Sequence, residues 1–367
     1  MTSLICDSDL RSFENFGGLS KTSQVFLAFY TCSYRLKFRV LNMSFLDTLI
    51  VNITHAKTIG SVERVQTLWS GYGFIKRFHL EGGKHKSIIA KHIQLPESKA
   101  HPKGWDTDLS HQRKLKSYEV ESHWYKAYAK QTTVTCKVPQ LLHSEEKENE
   151  RLLILEDLNS LGYSLRLSPD TINLETAKNC LSWLAHFHAQ FLQIKPEGLW
   201  EIGTYWHLAT RPDELAKMTN LPLQQAAGAI DRKLNEAQFQ TLVHGDAKLA
   251  NFCFSKDSAV SAVDFQYVGG GCGMKDVAYF ISSCFDEDEC AQYEDLLLDH
   301  YFEQLKKACP DAVDFIALKK EWSDLYPYAW ADFYRFLDGW SPGHWKMHDY
   351  SKQITNQVLQ EIAQYDS

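Results

Sequence analysis

The residues best suited to chemistry lie in one short stretch, Leu242-Val243-His244-Gly245-Asp246-Ala247-Lys248-Leu249-Ala250-Asn251, with Asp264 of Val263-Asp264-Phe265-Gln266 thirteen residues past Asn251. Phosphoryl transfer needs a carboxylate that orients and deprotonates a hydroxyl, and oxygen ligands that hold Mg2+ across the phosphates. In that chemistry Asp246 is the base, Asn251 presents its amide oxygen to one metal, and Asp264 is the principal metal ligand. Lys248, two positions after the base, is spaced to neutralise charge on the transferring group. Taken singly, Asp246 and Asn251 are equally suited to capping turns and His244 to a structural hydrogen bond. The joint spacing is what selects the chemical reading.

These groups converge only if the surrounding elements bring them together. A loop closing on Asn251, then a hairpin returning with Asp264, does this locally. Upstream, the texture predicts a strand meander: 62–69, a turn through Gly71 and Gly73, then Phe74 to Leu80, a turn at Glu81-Gly82-Gly83-Lys84, and 87–95. Leu115 to Lys130 has helical spacing, with Val120, Trp124 and Ala127 or Tyr128 on one face. Two more strands are expected at Val134 to Leu142 and Leu152 to Leu155, separated by a charged loop from Ser144 to Glu150. Thr171 to Leu192 reads as a core helix, and further helices are expected over Glu289 to Lys307, Trp322 to Leu337 and Ser351 to Ala363. The expected fold class is α+β, with a sheet-bearing first lobe carrying one main helix and a mostly helical second lobe. The division expected is an N-terminal extension over 1–42, a nucleotide-binding lobe over 43–157, and a catalytic and acceptor-binding lobe over 158–367. Met43 is an alternative start; the other reading of the extension is a short helix packed on the first lobe.

The set His-Gly-Asp-x-x-x-x-Asn followed by Asp-Phe-x resembles the catalytic and metal loops of protein-kinase-like phosphotransferases. Gly245, in place of arginine, resembles the aminoglycoside phosphotransferase and choline kinase branch. Leu155-Glu156-Asp157-Leu158, Asp264-Phe265-Gln266 and Asp276-Val277-Ala278-Tyr279-Phe280 resemble the ecdysteroid-kinase-like group, in element order over roughly Val62 to Leu337. The resemblance implies a bilobal kinase-like fold, ATP and Mg2+ as cofactors, and a small-molecule alcohol as acceptor. It also implies that Lys91, closing Ile88-Ile89-Ala90-Lys91, touches the α- and β-phosphates and pairs with a helix carboxylate, Glu121 or its neighbour Glu119. Glu156, Asp157 and Leu158 would be the hinge whose main chain meets adenine. Gly71 and Gly73 stand where a phosphate-covering glycine loop is expected, but Lys76 occupies the third glycine position, so the segment is equally a plain hairpin turn. Asp276 resembles an aspartate that braces the catalytic loop, and His188 reads as a satisfied polar residue on the core helix. The run Gly269-Gly270-Gly271-Cys272-Gly273 is expected to be flexible and to shape a loop on the metal side.

Composition narrows the field. With 44% apolar and 23% charged residues the 367-residue chain is globular, and its net charge of −7 disfavours a general nucleic-acid role. Nine scattered cysteines with no CxxC pair read as reduced thiols of a cytoplasmic protein. The apolar stretch 25–34 is too short to cross a bilayer, so no membrane segment is expected, and no obligate protein partner is evident. The second half is rich in large rings: Trp200, Tyr205, Trp206, Trp330, Phe333, Tyr334, Trp340 and Trp345. These suit an acceptor pocket or a bulky core, and Asp332 and Asp338 nearby would favour an amino alcohol, though a neutral polyol or sterol alcohol also fits. The competing classes are a catalytically inactive nucleotide-binding scaffold of the same fold, a helical interaction module, and a protein kinase. No Ala-Pro-Glu after Asp264 supports the last of these.

Overall fold

Glycine turns separate three antiparallel strands, β1 (Thr58–Thr67), β2 (Gly73–Glu81) and β3 (Ser87–Gln94), preceded by a helix α1 (Phe45–Thr54) opened by a Ser44–Asp47 capping box. The computed structural model describes residues 44–68, 71–94, 108–147 and 150–365. The expectations for residues 1–43, and for 69–70 and 95 at the strand ends, lie outside the described residues. After a helix α2 (Asp108–His123), strands β4 (Leu141–Lys147) and β5 (Glu150–Glu156) complete a five-stranded sheet of order β1-β2-β3-β5-β4. The central β3 therefore has neighbours on both sides, and Lys91 lies opposite Ile75 on one and Leu153 on the other. Its aliphatic stem and ammonium are carried into the interior instead of standing as an exposed strand-end charge.

Two expectations in this region are corrected. Val134 to Leu142 is not one strand: Val134–Cys136 is a single 3-10 turn, and pairing begins at Leu141, beyond Pro139, which has no N–H to give to a ladder. The charged stretch after Ser144 is not a loop but continues β4 to Lys147. Its charges are accommodated because Glu146 receives both Lys126 (2.6 Å) and Arg151 (3.2 Å) on an edge strand.

Helix α2 runs on without a break into a π-helical turn, Trp124–Tyr128, and a 3-10 turn, Ala129–Gln131. The wider turn swings Trp124 inward, where it is fully buried and stacks on Phe265 at 4.5 Å and 14°. This stack joins the sheet-side helix to the segment that carries Asp264.

The rest is mostly helical, with elements α3 (Leu174–Gln190), α4 (Pro212–Ala216), α5 (Leu221–Asn235), α6 (Met274–Cys284), α7 (Glu287–Ala308), α8 (Phe315–Trp340) and α9 (Asp349–Tyr365). Between α5 and α6 lie two small ribbons, β6 (Thr241–Val243) with β9 (Gly269–Gly271) and β7 (Phe252–Phe254) with β8 (Val260–Ala262). Contrary to expectation, the glycine run is not a flexible loop. Its first three residues form β9, with Gly269 and Gly271 buried, and a Cβ on Gly269 would stand 2.3 Å from the Trp200 carbonyl oxygen, so absent side chains let residues 200–203 lie directly on the strand. One apolar cluster extends from Val120 and Trp124 through Leu153 and Leu155 to the interior faces of α3, α6 and α8; a smaller one packs Ile50 of α1 under Phe78, Ile88 and Ile154. Among the described residues no helix is long and apolar enough to cross a membrane.

Because Trp124 is wholly enclosed, Trp124→Ala should destabilise the fold by about 3–5 kcal/mol, read as a lower urea midpoint; an unchanged midpoint would show that the Phe265 stack is not a structural joint.

Candidate active site

The site is assembled on the two ribbons. β6 delivers the chain into the loop His244–Asn251, and β7–β8 returns it to Val263 and Asp264. The loop is fixed from below by Asp276 at the start of α6, whose Oδ2 accepts the His244 N–H and whose Oδ1 accepts the Gly245 N–H at 3.0 Å. His188, fully buried on α3, approaches the same carboxylate at 3.2 Å through Nε2 and meets Tyr301 at 2.7 Å through Nδ1. Gly245 has φ of +77°, and a Cβ there would lie 2.1 Å from the Tyr267 carbonyl oxygen, so a side-chain-bearing residue does not fit at this corner. The His244 ring is held by a 3.0 Å contact from Nε2 to the Val263 carbonyl, which sets Nδ1 as acceptor for the Asp246 N–H.

Asp246 is 6% exposed and its carboxylate is surrounded by donors. Lys248 Nζ donates to Oδ2 at 2.8 Å, Asn251 Nδ2 donates to the same oxygen at 3.0 Å, and the Tyr279 hydroxyl donates to Oδ1 at 3.2 Å. Asn251 Nδ2 also donates to the Asp246 main-chain carbonyl at 2.7 Å, so the amide is oriented with Oδ1 as the atom left for a cation. Burial opposes the Lys248 ammonium, but Asp246 and then Asp264 outweigh it and hold its pKa above the ordinary lysine value.

Asp264 adopts φ of +71°, an uncommon conformation for a residue with a side chain, and keeps a carboxylate 37% exposed at the end of a buried segment. Gln266 Nε2 donates to its Oδ1 at 2.6 Å, and Lys91 Nζ lies 3.7 Å from the same atom. Burial works against the Asp264 charge, yet Lys91, Lys114 and Lys248 keep its carboxyl below the usual range. These oxygens fit a divalent cation. Among the described residues no three His, Cys, Asp or Glu side chains converge on one point, but Mg2+ is commonly held by one or two protein oxygens with phosphates and waters supplying the rest.

Lys91 Nζ donates to both oxygens of Glu121, at 2.8 and 2.6 Å, and the two residues are 5% and 1% exposed. Of the two carboxylates open in the sequence, Glu121 is thus the partner. Glu119 points outward to Lys116 (3.5 Å) and Arg151 (3.4 Å). Burial disfavours the Lys91 ammonium, but Glu121 and Asp264 more than offset this and hold its pKa above the ordinary value. One cation the spacing did not single out joins them: Lys114 of α2 donates to Gln266 Oε1 at 2.8 Å, and burial pushes its pKa down to about 8. Its only sequence signal is a position seven residues, two helical turns, before Glu121.

The remaining candidates lie around this centre. The hinge side chains are structural: buried Asp157 accepts Arg77 Nε at 2.8 Å and the Ser87 hydroxyl at 2.5 Å, while Glu156 Oε2 accepts the Gln140 N–H at 3.2 Å. Among the described residues nothing accepts the Leu158 N–H, whereas its carbonyl receives Leu161 and Tyr163. Gly71 and Gly73 turn the chain between β1 and β2 with φ of +75° and +130°. Lys76 lies within β2 over the Phe74 ring at 4.2 Å, so the third glycine position is strand. The two acidic residues near the rings are engaged within the protein. Asp332 is closed by Arg335 (2.8 and 3.0 Å) and Trp206 (3.0 Å), and Asp338 caps the Thr219 and Asn220 N–H groups at 2.8 and 3.0 Å.

Lys91→Met should cost about 3–5 kcal/mol in chemical unfolding, because it strands a buried Glu121 charge. Lys91→Met combined with Glu121→Met should recover most of that loss, and a double variant no more stable than the single one would refute the pairing energetics. Gly245→Ala, whose methyl would overlap the Tyr267 carbonyl, should lower the unfolding midpoint as well, and an unshifted midpoint would show that the corner tolerates a side chain.

The fold has relatives of known structure. An amicoumacin kinase in complex with AMP-PNP and Ca2+ matches with a TM-score of 0.53 at 12% identity, over 89% of this chain and 96% of that one. A choline kinase from Cryptosporidium parvum Iowa II matches at 10% identity over 83% and 89% of the two chains with a TM-score of 0.48. A thermostable mutant of an aminoglycoside phosphotransferase, in ternary complex with ADP and hygromycin B, matches at 8% identity over 86% and 98% with a TM-score of 0.47. Comparison with curated proteins gives no match. At 12% identity the likeness to the amicoumacin kinase shows the fold alone, a bilobal kinase-like α+β architecture. The model of the ecdysteroid kinase-like family matches residues 81–198 and 204–312, more than half of the sequence, and this chain therefore belongs to the ecdysteroid kinase-like family.

Proposed function

We propose that this chain is an ATP- and Mg2+-dependent phosphotransferase that moves the γ-phosphate of ATP to a hydroxyl of a small molecule. The observation that carries the reading is the joint placement of an Asp246 carboxylate tied to Asn251 and Lys248, and of Asp264 beside Lys91, with Lys248 in the field of both carboxylates. The fold shared with an amicoumacin kinase in complex with AMP-PNP and Ca2+ supports a nucleotide and a divalent metal.

In this reading residues 43–157 bind nucleotide and 158–367 provide catalysis and the acceptor site. The Leu158 N–H meets adenine, the turn at Gly71 and Gly73 covers the phosphates, and Lys91, oriented by Glu121, contacts the α- and β-phosphates. Asn251 Oδ1 and the Asp264 carboxylate hold Mg2+, which supplies charge neutralisation across the phosphate oxygens. The acceptor hydroxyl displaces part of the donor set around Asp246 and gives its proton to that carboxylate. As the acceptor oxygen bonds to the γ-phosphorus, the bond from phosphorus to the bridging oxygen breaks and ADP leaves. Lys248, held by Asp246 before the acceptor arrives, then turns to neutralise charge on the transferring group. The unpaired state of the described cysteines, six of seven buried, supports a cytoplasmic setting.

Asp246→Asn should keep Mg-ATP binding by calorimetry while lowering acceptor-dependent ADP release by about 10²–10⁴-fold; wild-type turnover would remove Asp246 from the base role. Asp264→Ala should abolish Mg2+-dependent ADP release, and full turnover with retained Mg2+ dependence would place the metal elsewhere. Acceptor-dependent ADP release that is absent for every alcohol tried, in a protein that binds Mg-ATP, would favour the inactive scaffold.

A further inference from the structure

Lys346 sits in the turn between α8 and α9, is only 8% exposed, and belongs to none of the groups assigned above. Its main chain is pinned, with the N–H donating to His344 Nδ1 at 3.3 Å and the carbonyl accepting the Ser351 hydroxyl at 3.0 Å. Its ammonium lies 4.7 Å from the centre of the Tyr279 ring, 5.4 Å from Phe333 and 5.5 Å from Trp345. Among the described residues no carboxylate pairs with Nζ and no acceptor takes a hydrogen bond from it. The ring beneath it is the one whose hydroxyl donates to Asp246 Oδ1 at 3.2 Å, so one tyrosine links this unpartnered cation to the proposed base, and it lies in the field of Asp246 and Lys248. Burial pushes its pKa down to about 8, as desolvation without an ion-pair partner should.

The neighbouring rings carry a second cation. Tyr205, 5.7 Å from Tyr279, and Phe336 have the Arg211 guanidinium at 5.8 and 5.2 Å from their centres. Arg211 is partly compensated by Glu214 at 3.0 Å; Arg113 of α2, bonded to the Thr210 carbonyl at 2.7 Å, has no carboxylate within ion-pair distance among the described residues. The faces of Tyr205, Tyr279, Phe333, Phe336 and Trp345 are thus already met by the chain's own cations, and Asp332 and Asp338 are sealed in internal hydrogen bonds.

We infer that Lys346 is a specificity-determining residue, and that the acceptor carries an oxyanion, a carboxylate, sulfate or phosphate group, close to the hydroxyl it presents to Asp246. A cationic amino alcohol would place like charge against a desolvated ammonium; an oxyanion supplies the missing partner. The inference rests on the phosphotransferase reading, since it takes Asp246 as the place the hydroxyl reaches.

Three probes of one skeleton test it: lactate, propane-1,2-diol and 1-amino-2-propanol, each titrated into the full chain saturated with Mg-AMP-PNP, which blocks the phosphate site. Lactate should bind roughly tenfold to hundredfold more tightly than the diol, and the amino alcohol more weakly than either. Lys346→Gln should remove the lactate preference and leave the diol within about twofold; Lys346→Arg should retain it. Lactate binding no better than the amino alcohol in the wild-type protein overturns the inference, as does lactate affinity unchanged by Lys346→Gln. The wild-type comparison decides even if Lys346→Gln does not fold. Failure to bind Mg-AMP-PNP would overturn the phosphotransferase reading instead, and is read separately.

Discussion

A single buried cation, the Lys91 ammonium, ties together three segments that are far apart in the chain. Its strand is the middle of the five-stranded sheet, its carboxylate partner Glu121 is on α2, and its second neighbour, Asp264, follows the β7–β8 hairpin. A charge in such a position is costly unless paired, so the sheet, the helix and the hairpin must hold their relative positions for the pairing to persist. The apolar counterpart is close by. Trp124, three residues past Glu121, stacks on Phe265, one residue past Asp264, and Phe265 in turn packs on His244 at 4.6 Å. Polar and apolar contacts therefore fix the same register between helix and hairpin.

The geometry of the His244–Asn251 loop shows a similar division of labour. Asp276 supplies charge beneath the loop through backbone hydrogen bonds, Gly245 supplies a left-handed corner, and glycine-rich β9 lets the 200–203 segment close over the ribbon. None of these groups needs to touch a substrate. They leave the Asp246 carboxylate in a ring of donors from Lys248, Asn251 and Tyr279, where its orientation is set before anything binds. Preorganisation of this kind reduces the rearrangement required when charge develops.

The sequence was most legible where function demands a fixed local spacing. His244 to Asn251 and Asp264 occupy one loop and one hairpin, so their spacing along the chain nearly determines their spacing in space. Long amphipathic helices such as α3, α7 and α9 carried periodic signals for the same local reason. α6 did not, because all eleven of its residues are buried and an all-buried helix has no alternation between faces. α5 carries local signals of its own, Asn220 as cap and Leu223, Ala226, Ala227, Ile230 and Leu234 on the buried face.

The sequence by itself determined the fold class, the long amphipathic helices, and the loop and hairpin to which Asp246, Asn251 and Asp264 belong, because these depend on periodicity and on contacts between residues near in the chain. Only the tertiary structure decided that Glu121 and not Glu119 faces Lys91, that Lys114 and Gln266 join Asp264, and that Asp332 and Asp338 are closed off. Only it brought Lys346 over Tyr279, whose hydroxyl meets Asp246. These outcomes turn on which helix face looks inward and on how distant segments pack. Two glutamates two positions apart on a helix differ by about 200° in direction, and which one is buried is set by the packing of the whole helix against the sheet, not by the residues beside it.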